Sequence, residues 1–169
     1  NTPVFKYNLY EQIKYAFEFS DEKNITYDVF MLFGGINDCL SAVPVGNISD
    51  PAGDYSYIAS FKKAIELIKS NNPTASIYML TSFPSFNGVT NMQNQKYINA
   101  NIKIAEYYKL PILDIYNNHI FTDDNYSFYY LSDKIHPNGE GYRIISPYII
   151  NLLNWYNLNN KIIPSLITF

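Results

Sequence analysis

Residues 27–38 read Tyr-Asp-Val-Phe-Met-Leu-Phe-Gly-Gly-Ile-Asn-Asp, and this stretch decides the fold. Tyr27 to Phe33 is a continuous apolar run of strand length, and it stops at Gly34-Gly35. Apolarity without alternation predicts a strand covered on both faces, as in a parallel sheet held between helical layers. Upstream, Leu9, Ile13, Ala16 and Phe17 recur at helical spacing and predict a helix over residues 8–20. Downstream, Pro44 to Gly53 is loop. Ile58, Phe61, Ile65 and Ile68 then form a second helical stripe, opened near Asp54 or Ser56 and ended by Asn71-Asn72-Pro73.

The pattern repeats. Ser76 to Thr81 is a second buried strand, and Ser82 to Thr90 is a loop with Pro84 and Gly88. Ile98, Ile102, Ala105 and Tyr108 mark a third helix that must stop before Pro111. Ile112 to Ile115 is a third strand, and Asn117 to Ser132 a long polar and aromatic loop. From Gly141, Ile145, Ile149, Leu152 and Tyr156 form a last helix, with Pro147 expected to kink or restart it. The apolar tail, Lys161 to Phe169, reads as a short strand or an arm. Strict alternation of helix and strand means an α/β domain on a parallel sheet with right-handed crossovers. No repeat or linker divides residues 1–169, so one domain is expected.

Composition narrows the function. The chain has 169 residues, 47% hydrophobic and 16% charged, which excludes intrinsic disorder. Such a length buries about 70% of its unfolded surface, enough for one core. Of 12 basic residues only Arg143 is arginine, and the net charge is −3, a poor match to nucleic acid. No apolar run reaches the ~18–20 residues of a membrane span. Cys39, the single cysteine, forms no intrachain disulfide. The wealth of Tyr, Ile, Asn and Lys reads as a bias toward AT-rich codons. It hints at a bacterial host and leaves the compartment, cytoplasmic or secreted, open.

In open parallel sheets, ligands bind at the carboxyl ends of the strands. After the first strand stand Gly35, Ile36, Asn37 and Asp38; before the last helix stand Asp133, Lys134, Ile135, His136 and Pro137. A carboxylate three residues before a histidine, in a turn, can accept the imidazole Nδ1–H and leave Nε2 as a general base. The plainer reading is a surface helix entry, with Asn138 as cap. A glycine at a strand exit allows close approach of a substrate, and an Asn amide there can donate to a developing oxyanion. The plainer reading is an ordinary turn. A metal site built on His119 and His136 is weakly supported, because the two lack ligand spacing.

Taken jointly, the two blocks resemble those of the SGNH hydrolases, also called the GDSL esterase/lipase family. The G-x-N-D block is Gly35-Ile36-Asn37-Asp38, and the D-x-x-H-P block is Asp133-Lys134-Ile135-His136-Pro137. Asn37 and His136 are 99 residues apart with two strand–helix units between, and Asn138 to Tyr142 is similar to the family's helix start. The resemblance runs from about residue 8 to residue 157. It implies a flavodoxin-like three-layer sandwich with strand order 2-1-3-4-5, and hydrolysis of a carboxylic ester through an acyl-enzyme with no metal or cofactor. It also implies roles: a serine activated by His136, His136 oriented by Asp133, and an oxyanion held by Asn37 on the substrate loop that includes Gly35 and Asp38.

One part of the pattern is missing. No G-D-S block occurs, and Ser20, the only serine before Gly35, follows a helix and does not match it. The family's first two strands are likewise without counterparts, which would leave Tyr27 to Phe33 as a long apolar edge prone to association. The expectation is that the serine lies on an upstream segment, and that a companion fragment or a second copy of the chain covers this edge. The tail Ile162 to Phe169 is another candidate for that edge. The substrate expected is a small-molecule or carbohydrate ester, for which Tyr126, Phe128, Tyr129 and Tyr130 would form an aromatic wall. The alternative for those four is packing of the long loop. A non-catalytic binding or structural module is the alternative function.

Overall fold

The computed structural model describes residues 8–159. Helix α1, Leu9–Lys23, is capped by Asn8, whose side chain accepts the Glu11 N–H. It leads to strand β1, Val29–Phe33. A short helix α2, Ile36–Leu40, follows the double glycine. Helix α3, Tyr57–Asn71, starts at Ser56, whose hydroxyl accepts the Ala59 N–H, so Ser56 and not Asp54 is the cap. Strand β2, Ser76–Leu80, precedes α4, Gly88–Tyr108, and strand β3 is Ile112–Leu113. A single turn α5, Tyr126–Tyr129, and the long helix α6, Gly139–Asn159, complete the order.

The sheet is parallel throughout, in the order β1-β2-β3, with Phe30 beside Ile77 and Met79 beside Ile112. One face carries Phe30, Leu32, Ile77, Met79 and Ile112 and packs on α1, α3 and α4 through Ile13, Ile65, Ile68 and Ile104. The other carries Tyr78, Leu80 and Leu113 and packs on α6 through Ile145 and Leu152. The parallel sheet between helical layers is thus as the sequence predicts.

Five details differ. β1 is not covered on both faces: Phe30 and Leu32 are buried, whereas Val29, Met31 and Phe33 are exposed at 48%, 37% and 47%. The reason is spatial. α6 lies over β2 and β3, and among the described residues no helix covers the β1 end of that face, where Phe33 meets only the edge of the Phe83 ring, and no strand pairs with its outer edge. The third strand ends two residues early, because the Asp114 carboxylate accepts the Asn117 N–H and turns the chain. α4 begins at Gly88, ten residues before its first apolar marker Ile98. The long loop contains α5. And α6 is not restarted at Pro147, which lies inside the helix. The tail expected to form a strand or arm lies outside the described residues.

Candidate active site

Gly34 and Gly35 end β1 in a turn that only glycine makes without strain. Gly35 has φ +129° and is buried. A Cβ there would touch Tyr57 Oη and Tyr97 Cβ, each at 3.4 Å. Buried amides on α4 hold this turn and the neighbouring loop after β2. Asn101 Nδ2 donates to Gly34 O at 3.1 Å, and Asn101 Oδ1 accepts from Tyr57 Oη at 2.6 Å. Asn94 Nδ2 donates to Ser82 Oγ at 2.9 Å. These amides, seven residues apart on the buried side of a helix, are structural residues that the sequence reading missed. The available signal was a polar pair within the apolar stripe of α4.

The turn passes into α2, where Cys39 is the buried anchor; its thiol points to Thr90 O at 3.8 Å. Burial pushes that thiol up, away from the thiolate form. Asp38 is half-buried. Desolvation raises its carboxyl above the usual range, partly opposed by the N–H groups of Asp38 and Gly35. Asn37 is exposed beside them. It lines a cavity of about 310 Å³ together with Phe33, Gly34, Gly35, Asp38 and Ser41. A larger cavity of about 500 Å³, between residues 45–48 and α4, includes none of the candidate residues.

The second block folds as a tight turn that carries its own electrostatics. Leu131 N–H donates to His136 O, Tyr130 and Pro137 form an antiparallel bridge, and Lys134 takes the left-handed backbone at φ 61°. Asp133 Oδ1 accepts the backbone N–H groups of Ile135 (2.9 Å) and His136 (3.0 Å). Asp133 Oδ2 lies 2.7 Å from His136 Nδ1. The two N–H groups, His136's first, and then the imidazole hold the Asp133 carboxyl down to about 2, well below the usual 3.8. Asp133 is therefore a fixed anion at neutral pH. With Nδ1 engaged, the Nε2 edge of the ring faces solvent, since the side chain is 61% exposed. This is the arrangement of an oriented base.

The loop after β2 positions that turn. Phe86 N–H donates to Lys134 O at 2.8 Å, and the buried Tyr130 hydroxyl donates to Pro84 O at 2.8 Å. Phe86 stacks on Tyr126 at 4.7 Å and meets Tyr130 edge-on at 5.0 Å. Tyr129 and Tyr130 pack on Phe121. Three of the four aromatics thus pack the loop, and only Phe128, 73% exposed, stands free of the core. Because β1 and β2 are parallel, Asn37 and His136 lie at the same edge of the sheet. Ring contacts bridge them, from Phe33 to Phe83 and from Phe83 to Tyr142, each at 5.7 Å.

The structure brings Asp133 and His136 into direct contact and sets Gly35, Asn37 and Asp38 in one turn at the same sheet edge. It places no serine hydroxyl on His136 among the described residues. Ser82 and Ser85 are buried in the loop after β2, and the Ser20 hydroxyl donates to Phe17 O in α1. Among the described residues there is no cluster of three metal-ligating side chains and no helix long and apolar enough to cross a membrane.

Such a parallel sheet between helical layers, with the Asp133–His136 pair at its carboxyl edge, defines an α/β domain. The sequence matches the model of the GDSL-like Lipase/Acylhydrolase family over residues 6–144, and the chain belongs to that family. Its fold is similar to that of a Lactobacillus plantarum protein (TM-score 0.66, 22% identity, covering 76% of this chain and 67% of that one). It is similar also to a possible lipase from Chitinophaga pinensis (0.66, 18%, covering 90% and 80%). A third similar structure is a catalytic mutant of an acetylxylan esterase from Geobacillus stearothermophilus (0.59, 15%, covering 87% and 68%). The chain thus spans two thirds to four fifths of the length of these three proteins. No curated protein matches it.

Proposed function

We propose that this domain is the histidine-bearing part of a serine ester hydrolase. The observation that carries the reading is the 2.7 Å contact between His136 Nδ1 and Asp133, a carboxylate already fixed as an anion by two backbone N–H groups. In the proposed reaction His136 Nε2 takes the proton of a serine hydroxyl as its oxygen attacks the ester carbonyl. Asp133 holds the tautomer and balances the imidazolium. The Asn37 amide, for which no hydrogen-bond partner stands among the described residues, donates to the oxyanion. The alcohol leaves with the proton from His136, and water then cleaves the acyl-enzyme by the same route in reverse. No metal or cofactor is required.

The serine is proposed to lie on a segment outside these 169 residues. The exposed face of β1 and its outer edge, unpaired among the described residues, support this, as does coverage of about two thirds of two structurally similar proteins. The proposed substrates are small esters, acylated carbohydrate included. The test is hydrolysis of p-nitrophenyl acetate by the native protein and by His136→Ala. Loss of nearly all turnover in the variant supports the reading. Turnover that survives the substitution excludes His136 as the base.

A further inference from the structure

We infer that Gly141 is a positioning residue for this site: its bare Cα sets where the His136 turn sits against α6. The inference rests on the hydrolase reading above. The carbonyl of Tyr129 closes the base of the turn by accepting the Asn138 N–H at 2.8 Å. The same carbonyl lies against the Cα of Gly141, in the first turn of α6. Asn138 clamps the two together. Its Oδ1 accepts the N–H groups of Glu140 (2.9 Å) and Gly141 (3.0 Å), while its Nδ2 donates to Phe128 O at 2.9 Å.

A Cβ at position 141 would overlap the Tyr129 carbonyl and approach Pro137 Cβ at 2.8 Å. Neither neighbour can rotate away, since one is backbone and the other a ring locked to it. The turn itself would have to move. The Asp133–His136 hydrogen bonds lie within residues 133–136 and would travel with it. What changes is the position of His136 relative to Asn37, which stands on a different loop. A misplacement of about 1 Å can cost on the order of 10²-fold in rate.

The same helical turn supplies a control. A Cβ at Gly139 would meet nothing within 4 Å. The experiment compares Gly141→Ala and Gly139→Ala in the native protein, by crystal structure and by kcat and KM on p-nitrophenyl acetate. Gly139→Ala is expected to match the parent. Gly141→Ala is expected to lose about 10²-fold in kcat with KM unchanged, and to show residues 131–136 displaced with the 2.7 Å dyad intact. A Gly141→Ala turn that superimposes on the parent, or an undiminished kcat, overturns the inference. If Gly141→Ala does not fold, Tyr130→Phe loosens the opposite attachment by removing the hydrogen bond to Pro84 O. A several-fold fall in its kcat is expected, and an unchanged kcat overturns the inference. His136→Ala in the same assay separates two failures. Turnover that survives it overturns the hydrolase reading. Turnover lost there and retained in Gly141→Ala overturns only the role of Gly141.

Discussion

Replacing Gly35 by alanine tests the foundation of the Asn37 loop. The backbone there has φ +129° and ψ −38°, a region that L-residues rarely adopt. The new methyl itself fits, since its nearest neighbours lie at 3.4 Å. The cost is therefore conformational strain, about 1–3 kcal/mol for one residue held in a sparsely populated region. Gly34→Ala is the matched control. It adds the same methyl one residue earlier, 3.4 Å from the Phe61 ring, without a left-handed φ. Urea unfolding followed by circular dichroism reads the difference. With an m-value of about 2 kcal/mol/M, a loss of about 2 kcal/mol lowers the midpoint by about 1 M. Gly34→Ala should move it far less. Equal midpoints for the two variants would refute the argument that the strand exit is built on glycine's freedom at position 35.

Three further outcomes follow from the geometry. Asn37→Ala should lower kcat by about 10²–10³-fold, as for loss of one oxyanion donor, and leave the urea midpoint unchanged, because the exposed amide bonds to nothing among the described residues. Asp133→Asn should be less stable than the parent near neutrality. The folded carboxyl sits at about 2 against an ordinary 3.8, so its contribution is complete above that ordinary value and lost as pH falls toward 2. The two midpoints should converge over that window, and a gap that stays constant would refute the linkage. Met31→Lys places a charge on the open face of β1 and should reduce self-association in light scattering without loss of stability. Unchanged scattering would count against that face as a site of association.

Much of this was legible in the sequence because the signals were local. Tyr27 to Phe33 and Ser76 to Thr81 announce strands by apolarity and length, and the pair Asp54 and Ser56 brackets a helix start by side-chain chemistry, Ser56 proving to be the cap. The Asp133–His136 pairing was legible for the same reason: three residues in a turn bring the carboxylate to Nδ1 without help from the rest of the fold. What was not legible depends on packing between distant segments. The exposure of Val29, Met31 and Phe33 follows from where α6 lies, which the composition of β1 does not encode. Asn94 and Asn101 are polar residues inside an apolar helix face. Their purpose is visible only once Gly34 and Ser82 are seen beside them. The attachment of the His136 turn to Pro84 and Phe86 joins segments about fifty residues apart. And Ile112 to Ile115 ends early because Asp114 prefers its own turn to the ladder.

The most direct test of the account is covalent labelling of the native protein with a fluorophosphonate, read by intact and peptide mass spectrometry, in the parent and in His136→Ala. The account predicts one labelled serine, located outside residues 1–169 and unlabelled in the variant. Label on Ser82, Ser85 or another serine of this chain, label that persists without His136, or no label at all would contradict it.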